Sequence, residues 1–173
     1  MKTLASCVLI VSTALIATAC GDTGSSSAVE SLQGNALVGA WRSRIHFNSG
    51  AFVEVKDLEF MYVFNAGGTL MESSNYDGAP PVPPAYGVWR ESEPRKFEAT
   101  YSFYMTKAPG NFDDIAKGGG WSPAGRGVLT EKISLSADGK SFKSTIAYAA
   151  FDQAGNSVEG GGEGTGEGVR MGF

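Results

Sequence analysis

From Ala36 onward the chain alternates apolar and polar residues with a period of two, and helical periodicity is almost absent. Gly39 to Phe47 sets Trp41, Ser43, Ile45 and Phe47 on one face and Arg42, Arg44 and His46 on the other. Phe52 to Phe64 predicts a second strand, with Leu58, Phe60, Tyr62 and Phe64 on one side. Its alternation changes phase near Lys56-Asp57, which predicts a bulge or two shorter strands. Thr69 to Tyr76 and Ala85 to Arg90 follow. Lys96 to Met105 then alternates cleanly, with Phe97, Ala99, Tyr101, Phe103 and Met105 facing one way. Arg126 to Ser136, Lys140 to Asp152 and Asn156 to Phe173 complete the set.

The breaks between these runs carry turn chemistry. Asn65-Ala66-Gly67-Gly68, Asp138-Gly139 and Ala154-Gly155-Asn156 predict hairpins, and Glu93-Pro94-Arg95 predicts a corner. Pro80 to Pro84 cannot donate a full hydrogen-bond ladder and predicts an extended loop. Lys107 to Gly125 is irregular, with a helical turn at most over Asp113 to Lys117. The last strand is laden with glycine from Gly160 to Gly168, which tolerates the sharp coiling of a closing barrel. The expectation is an all-β fold: an antiparallel up-and-down meander of about eight strands, closed into a barrel to remove its edges. A two-sheet β-sandwich is the alternative, with the Pro-rich and Gly-rich loops as its crossovers.

Before Ala36 the pattern is different. Lys2 precedes a nearly uncharged apolar run from Leu4 to Ile16, too short to span a bilayer, and Ala17-Thr18-Ala19-Cys20 follows. This is the arrangement of a bacterial lipoprotein signal, cut before Cys20, whose thiol and amine are then acylated. Gly21 after the cysteine gives no inner-membrane retention signal, so the expected location is the cell envelope at the outer membrane. An ordinary secretory signal also fits Ala17-x-Ala19, and on that reading the protein is periplasmic or secreted. Residues 1–19 are thus the signal, 20–35 a lipidated cysteine with a Gly/Ser-rich flexible tether, and 36–173 one domain of about 140 residues.

Loss of Lys2 with the signal takes the net charge from −4 to −5, which argues against nucleic acid or anionic lipid as a partner. Cys7 would leave too, so the domain has no internal disulfide and depends on its core.

Gly39-Ala40-Trp41 opens the first strand and Arg170 lies on the last. In this the chain resembles the lipocalins and their calycin relatives, whose barrels begin with Gly-x-Trp and carry a basic residue near their end. The resemblance implies that Trp41 closes the barrel floor and that the Arg170 guanidinium stacks on it. Tyr86-Gly87-Val88-Trp89-Arg90, with the Asp-Gly hairpins, is also similar to small exported bacterial lipocalin-like proteins of unassigned function. The chain departs from the family in lacking a Thr-Asp-Tyr motif between the later strands.

The catalytic inventory is small. His46 is the only histidine, and Cys20 is expected to be acylated, so Cys-His and multi-histidine metal sites are excluded. Asp113-Asp114 lacks the spacing of a calcium loop, and no cofactor is implied. Two carboxylates stand out by the face they share. Glu131 lies among Leu129, Ile133 and Leu135, and Glu72 between Leu70 and Ser74. If those faces point inward, burial raises both pKa values unless a partner such as Arg90 or Arg126 meets them. With the faces reversed, both are merely solvated.

Phe60, Tyr62, Phe64, Phe97, Tyr101, Phe103, Phe142 and Tyr148 come from different strands and can line one interior. They either fill a small barrel or line an apolar cavity with a few polar anchors. The expected ligand-binding residues are Trp121, Tyr62, Tyr101, Phe103, Tyr148, Glu131 and Glu72, with the loops Asp77–Pro84 and Gly118–Pro123 shaping the mouth. The first functional reading is a membrane-anchored barrel that binds a small apolar or amphipathic ligand. A filled barrel acting as an envelope interaction module or inhibitor is the second. A barrel cyclase or isomerase, using Glu131 or Glu72, is the third.

Overall fold

A computed structural model describes residues 36–76, 83–111, 113–117 and 119–172. The signal, Cys20 and the tether lie outside the described residues, as do Asp77 to Val82. Eight strands close into an antiparallel barrel in sequence order: β1 (Gly39–Phe47), β2 (Glu59–Phe64), β3 (Thr69–Ser74), β4 (Ala85–Glu93), β5 (Lys96–Lys107), β6 (Ser122–Leu135), β7 (Ser141–Phe151) and β8 (Ser157–Arg170). β1 pairs with both β2 and β8, so neither is left as an edge. Among the described residues the short helix α1 (Asp113–Ala116) matches the single helical turn expected in the irregular stretch.

Strand alternation sorts the side chains as the pattern requires. Trp41, Ser43, Ile45 and Phe47 are buried, whereas Arg42, Arg44 and His46 are exposed. Two boundaries differ most from the sequence expectation. Residues 51–54 form a turn, and Asp57 takes a left-handed backbone (φ 52°), so β2 begins only at Glu59. The phase change at Lys56-Asp57 therefore marks the end of a loop, and Phe52 is free of the sheet. β6 begins at Ser122, earlier than expected, because a register shift between Met105 and Thr106 lets the irregular segment pair with the end of β5.

The two ends of the barrel are built differently. At one end the connections 65–68, 94–95 and 136–140 are short. Here Trp41 is fully buried, its Nε1 donating to Leu37 O at 2.8 Å. The Arg170 guanidinium lies 4.2 Å over the indole ring. It donates to Val38 O at 2.7 Å, to Gly139 O at 3.0 Å and to Ala36 O, tying three chain segments together. Gly39 carries a φ of +135°, and a Cβ there would stand 2.7 Å from Arg170 Nη1. The Gly-x-Trp triplet is thus one unit with Arg170: the glycine makes room for the guanidinium that covers the tryptophan.

β8 explains how so many aromatic rings fit inside. Gly164, Gly166 and Gly168 face inward and are buried, while Glu163, Thr165 and Glu167 face out. A Cβ on Gly168 would lie 2.3 Å from the Phe142 ring, and one on Gly166 would lie 2.5 Å from Ser144 Oγ. The glycine face is a thin wall against which the bulky chains of the other strands pack.

Candidate ligand site at the barrel mouth

The longer connections 48–58, 75–84 and 108–121 join strands at the other end, with the five-residue hairpin 152–156. Between them lies a cavity of about 240 Å³. Strand residues Phe60, Phe103, Leu129 and Tyr148 form its sides, and Tyr76 and Pro83 of the β3–β4 connection contribute to its rim. Phe52, from the turn before β2, lies across this end. Its ring centroid is 5.3 Å from that of Phe47, 4.9 Å from Tyr148 and 5.9 Å from Tyr76. Phe103 and Tyr148 stack at 6.2 Å with planes 11° apart, over a glycine whose Cβ would come within 2.4 Å of the Phe103 ring, Gly127. That stack exists because β6 has no side chain beneath it.

Glu72 is the carboxyl among the described residues that line this largely apolar cavity. Its position on β3 turns it inward, cross-strand from Tyr62 and Ala85, and it is 5 % exposed. Its Oε1 has no hydrogen-bond partner among the described residues. Burial, with the Glu131 charge adding to it, pushes the Glu72 carboxyl up to about 8. No basic side chain stands among the described lining residues.

Below the cavity the interior is filled. Glu131 is 1 % exposed, and its Oε2 accepts a hydrogen bond from the Tyr101 hydroxyl at 3.0 Å. The Tyr62 and Tyr101 hydroxyls are 3.5 Å apart. Tyr101 commits its proton to Glu131, so the chain runs from Tyr62 to Tyr101 to Glu131. Burial, reinforced by the Glu131 charge, holds both phenols well above their ordinary pKa, so they stay neutral donors. Burial also raises Glu131, and the hydroxyls of Ser144, Tyr101 and Tyr62 oppose that rise. Glu131 Oε1 nevertheless lacks a hydrogen bond of good geometry, as does Ser144 Oγ.

The sequence-derived residues therefore fall into three groups. Phe103, Tyr148 and Glu72 line the cavity; Tyr62, Tyr101 and Glu131 form the polar layer beneath it. Trp121, half-buried just before β6, is not among the described residues that line the cavity. Neither arginine considered as a partner reaches the buried carboxyls. Arg90 pairs with Glu98 at 2.7 Å on the outer face, and Arg126 lies 5.3 Å over the Phe151 ring.

No protein-family model matches the chain, and no curated protein matches it. The all-antiparallel eight-stranded barrel is compatible with a calycin-like fold.

Phe47, Phe52, Tyr76 and Tyr104 are the described lining aromatics that sequence reasoning missed. The alternation places Phe52 and Tyr76 in strands, where only the face of each would count; the turn at 51–54 and the end of β3 at Ser74 free both to lie across the mouth. The out-of-phase residues before Lys56 were the available signal for Phe52. Among the described residues, no group of three His, Cys, Asp or Glu side chains is placed to hold a metal ion.

Proposed function

We propose that this protein is an exported, lipid-anchored barrel that holds a small apolar or amphipathic molecule non-covalently at its mouth. One observation carries the reading: the aromatic-lined cavity of about 240 Å³ contains a buried carboxyl with an unpartnered oxygen. A buried polar atom without a partner costs about 1–3 kcal/mol, and a ligand group that satisfies it recovers part of that cost. The volume is below the usual range for drug-sized ligands, which points to a compact cargo. Ala17-Thr18-Ala19-Cys20 and the Gly/Ser-rich tether support anchoring at the outer membrane through Cys20.

Native mass spectrometry of protein purified gently from its own envelope tests the binding reading. A discrete excess mass lost on denaturation is the expected result. The bare mass of the acylated chain, with no small molecule taken up from an envelope extract, would overturn it. Anchoring is tested separately: Cys20→Ser is expected to abolish labelled-palmitate incorporation and release the protein from the membrane fraction.

A second reading, an envelope interaction module, is favoured by the outer wall. Val63, Met71 and Tyr86 are exposed and lie side by side across β2, β3 and β4, with Met61 and Val88 exposed on the same face. Crosslinking in intact cells through this face, with no bound small molecule, is the outcome that would favour it.

A further inference from the structure

A compact apolar cargo needs a polar group that suits the mouth, and the side chains there discriminate sharply among candidates. The carboxyls of Glu72 and Glu131 are the buried ionisable acids of the interior, and both have an oxygen without a partner. The groups facing Glu72 are Tyr62 from β2, Tyr101 from β5, Glu131 from β6 and Tyr148 from β7, all acidic or neutral. Arg90 and Arg126, the nearest basic candidates by sequence, are engaged on the outer face. A negative ligand head would meet one or two carboxyls and no cation. A positive head would meet a counterion in a low-dielectric pocket, where such attraction is strongest.

The walls point the same way. Phe47, Phe52, Phe60, Phe103 and Tyr148 present ring faces and edges around one small volume. Aromatic rings grouped about an acid are the surroundings that favour an organic cation, through attraction to the ring faces. We infer that the mouth recognises an organic ammonium group on a compact apolar body, with Glu72 as its counterion and the surrounding rings as its cage. This inference rests on the ligand-binding reading and narrows it to one class: amines, to the exclusion of fatty acids and other carboxylates.

The proton follows from the burial of Glu72, which raises its carboxyl to about 8. An ammonium head that pairs with Glu72 stabilises the carboxylate, so binding near neutral pH releases the carboxyl proton to solvent. Affinity therefore rises with pH, by up to about tenfold per unit, until Glu72 is ionised in the free protein. An alkylammonium keeps its own charge through that range, since aliphatic amines titrate near 10.

Calorimetric titration of the full chain in phospholipid nanodiscs, with empty nanodiscs as the blank, tests the inference with three matched probes. These are octylammonium chloride, octan-1-ol and sodium octanoate. Octylammonium is expected to bind about tenfold or more tighter than octanol at pH 8, and octanoate the weakest. In Glu72→Gln, checked for folding by near-UV circular dichroism, the ammonium advantage over octanol is expected to collapse to within about threefold. Should that variant fail to fold, wild-type titrations at pH 7 in two buffers of different ionisation enthalpy replace it, and release of close to one proton is expected. Octanol binding with no ammonium preference, or binding without proton release, would overturn the ammonium assignment, and an advantage that survives Glu72→Gln would overturn Glu72 as the counterion, each leaving the pocket reading intact. Failure of all three probes to bind would overturn both.

Discussion

Glu72 and Tyr101 show how much a single buried polar atom can decide. Glu72 titrates at about 8 in the folded chain against an ordinary 4.5, so the native state holds a proton that the unfolded state has lost between those values. Its contribution to stability is complete below pH 4.5 and is lost as pH rises to 8, a linkage of up to about 5 kcal/mol. Thermal unfolding should therefore occur at a lower temperature at pH 8.5 than at pH 5.5, and Glu72→Gln should flatten that difference by raising the pH 8.5 midpoint. An unchanged pH dependence in the variant would show that the slope comes from other groups. Tyr101→Phe removes the hydroxyl that donates to Glu131 Oε2 and is expected to cost about 1–3 kcal/mol in denaturant titration. Tyr62→Phe should cost less, because its hydroxyl contact of 3.5 Å is at the limit of a hydrogen bond. Alternation alone identified Glu72 and Glu131 as sharing an apolar face. It did not say whether that face was the inner one, or whether an arginine reached it, since both depend on strands distant in sequence.

At the scale of elements, β8 is the strand whose sequence looks least like a strand. Its glycines were legible as tolerance of coiling, but their packing role was not, because it lies in the volume of partners on β1 and β7. Gly168 faces the Phe142 ring, and no local pattern links residues so far apart. Gly168→Ala is expected to destabilise the barrel by about 1–3 kcal/mol through overpacking. Phe142→Leu in the same chain should restore part of the loss by vacating the contact. If the double variant is no more stable than Gly168→Ala alone, the glycine acts through its backbone and not through space. The segment before β2 gives the opposite lesson. Phe52 alternates well enough to read as strand, yet the turn at 51–54 and the left-handed Asp57 override it. Tertiary packing, with Phe52 against Phe47 and Tyr148, decides the local structure there.

Across the whole molecule, the packed floor and the candidate ligand site are separated along the barrel axis. The strand order and closure were legible from the meander and its turns, and the Gly39–Trp41 and Arg170 pair marked the floor. The cavity was not legible, because eight strands can enclose either a filled or a hollow interior. Here both occur: the floor and middle are packed, and the space lies at the end with the longer connections. This division makes a prediction about coupling. Arg170→Ala removes donors to three backbone carbonyls and the stacking on Trp41, at an expected cost of about 2–4 kcal/mol. Arg170→Lys should recover only a fraction, because an ammonium cannot bridge the same fork of carbonyls while lying flat on the indole. Neither change touches a residue of the mouth, so each should leave the affinity ratio of octylammonium to octanol as it is. The combination of Arg170→Ala with Glu72→Gln at pH 8.5 should then give a stability change within about 0.5 kcal/mol of the sum of the single variants. A larger departure from additivity, or a floor variant that alters probe selectivity, would mean that the packed middle layer of Tyr62, Tyr101 and Glu131 transmits the state of one end to the other.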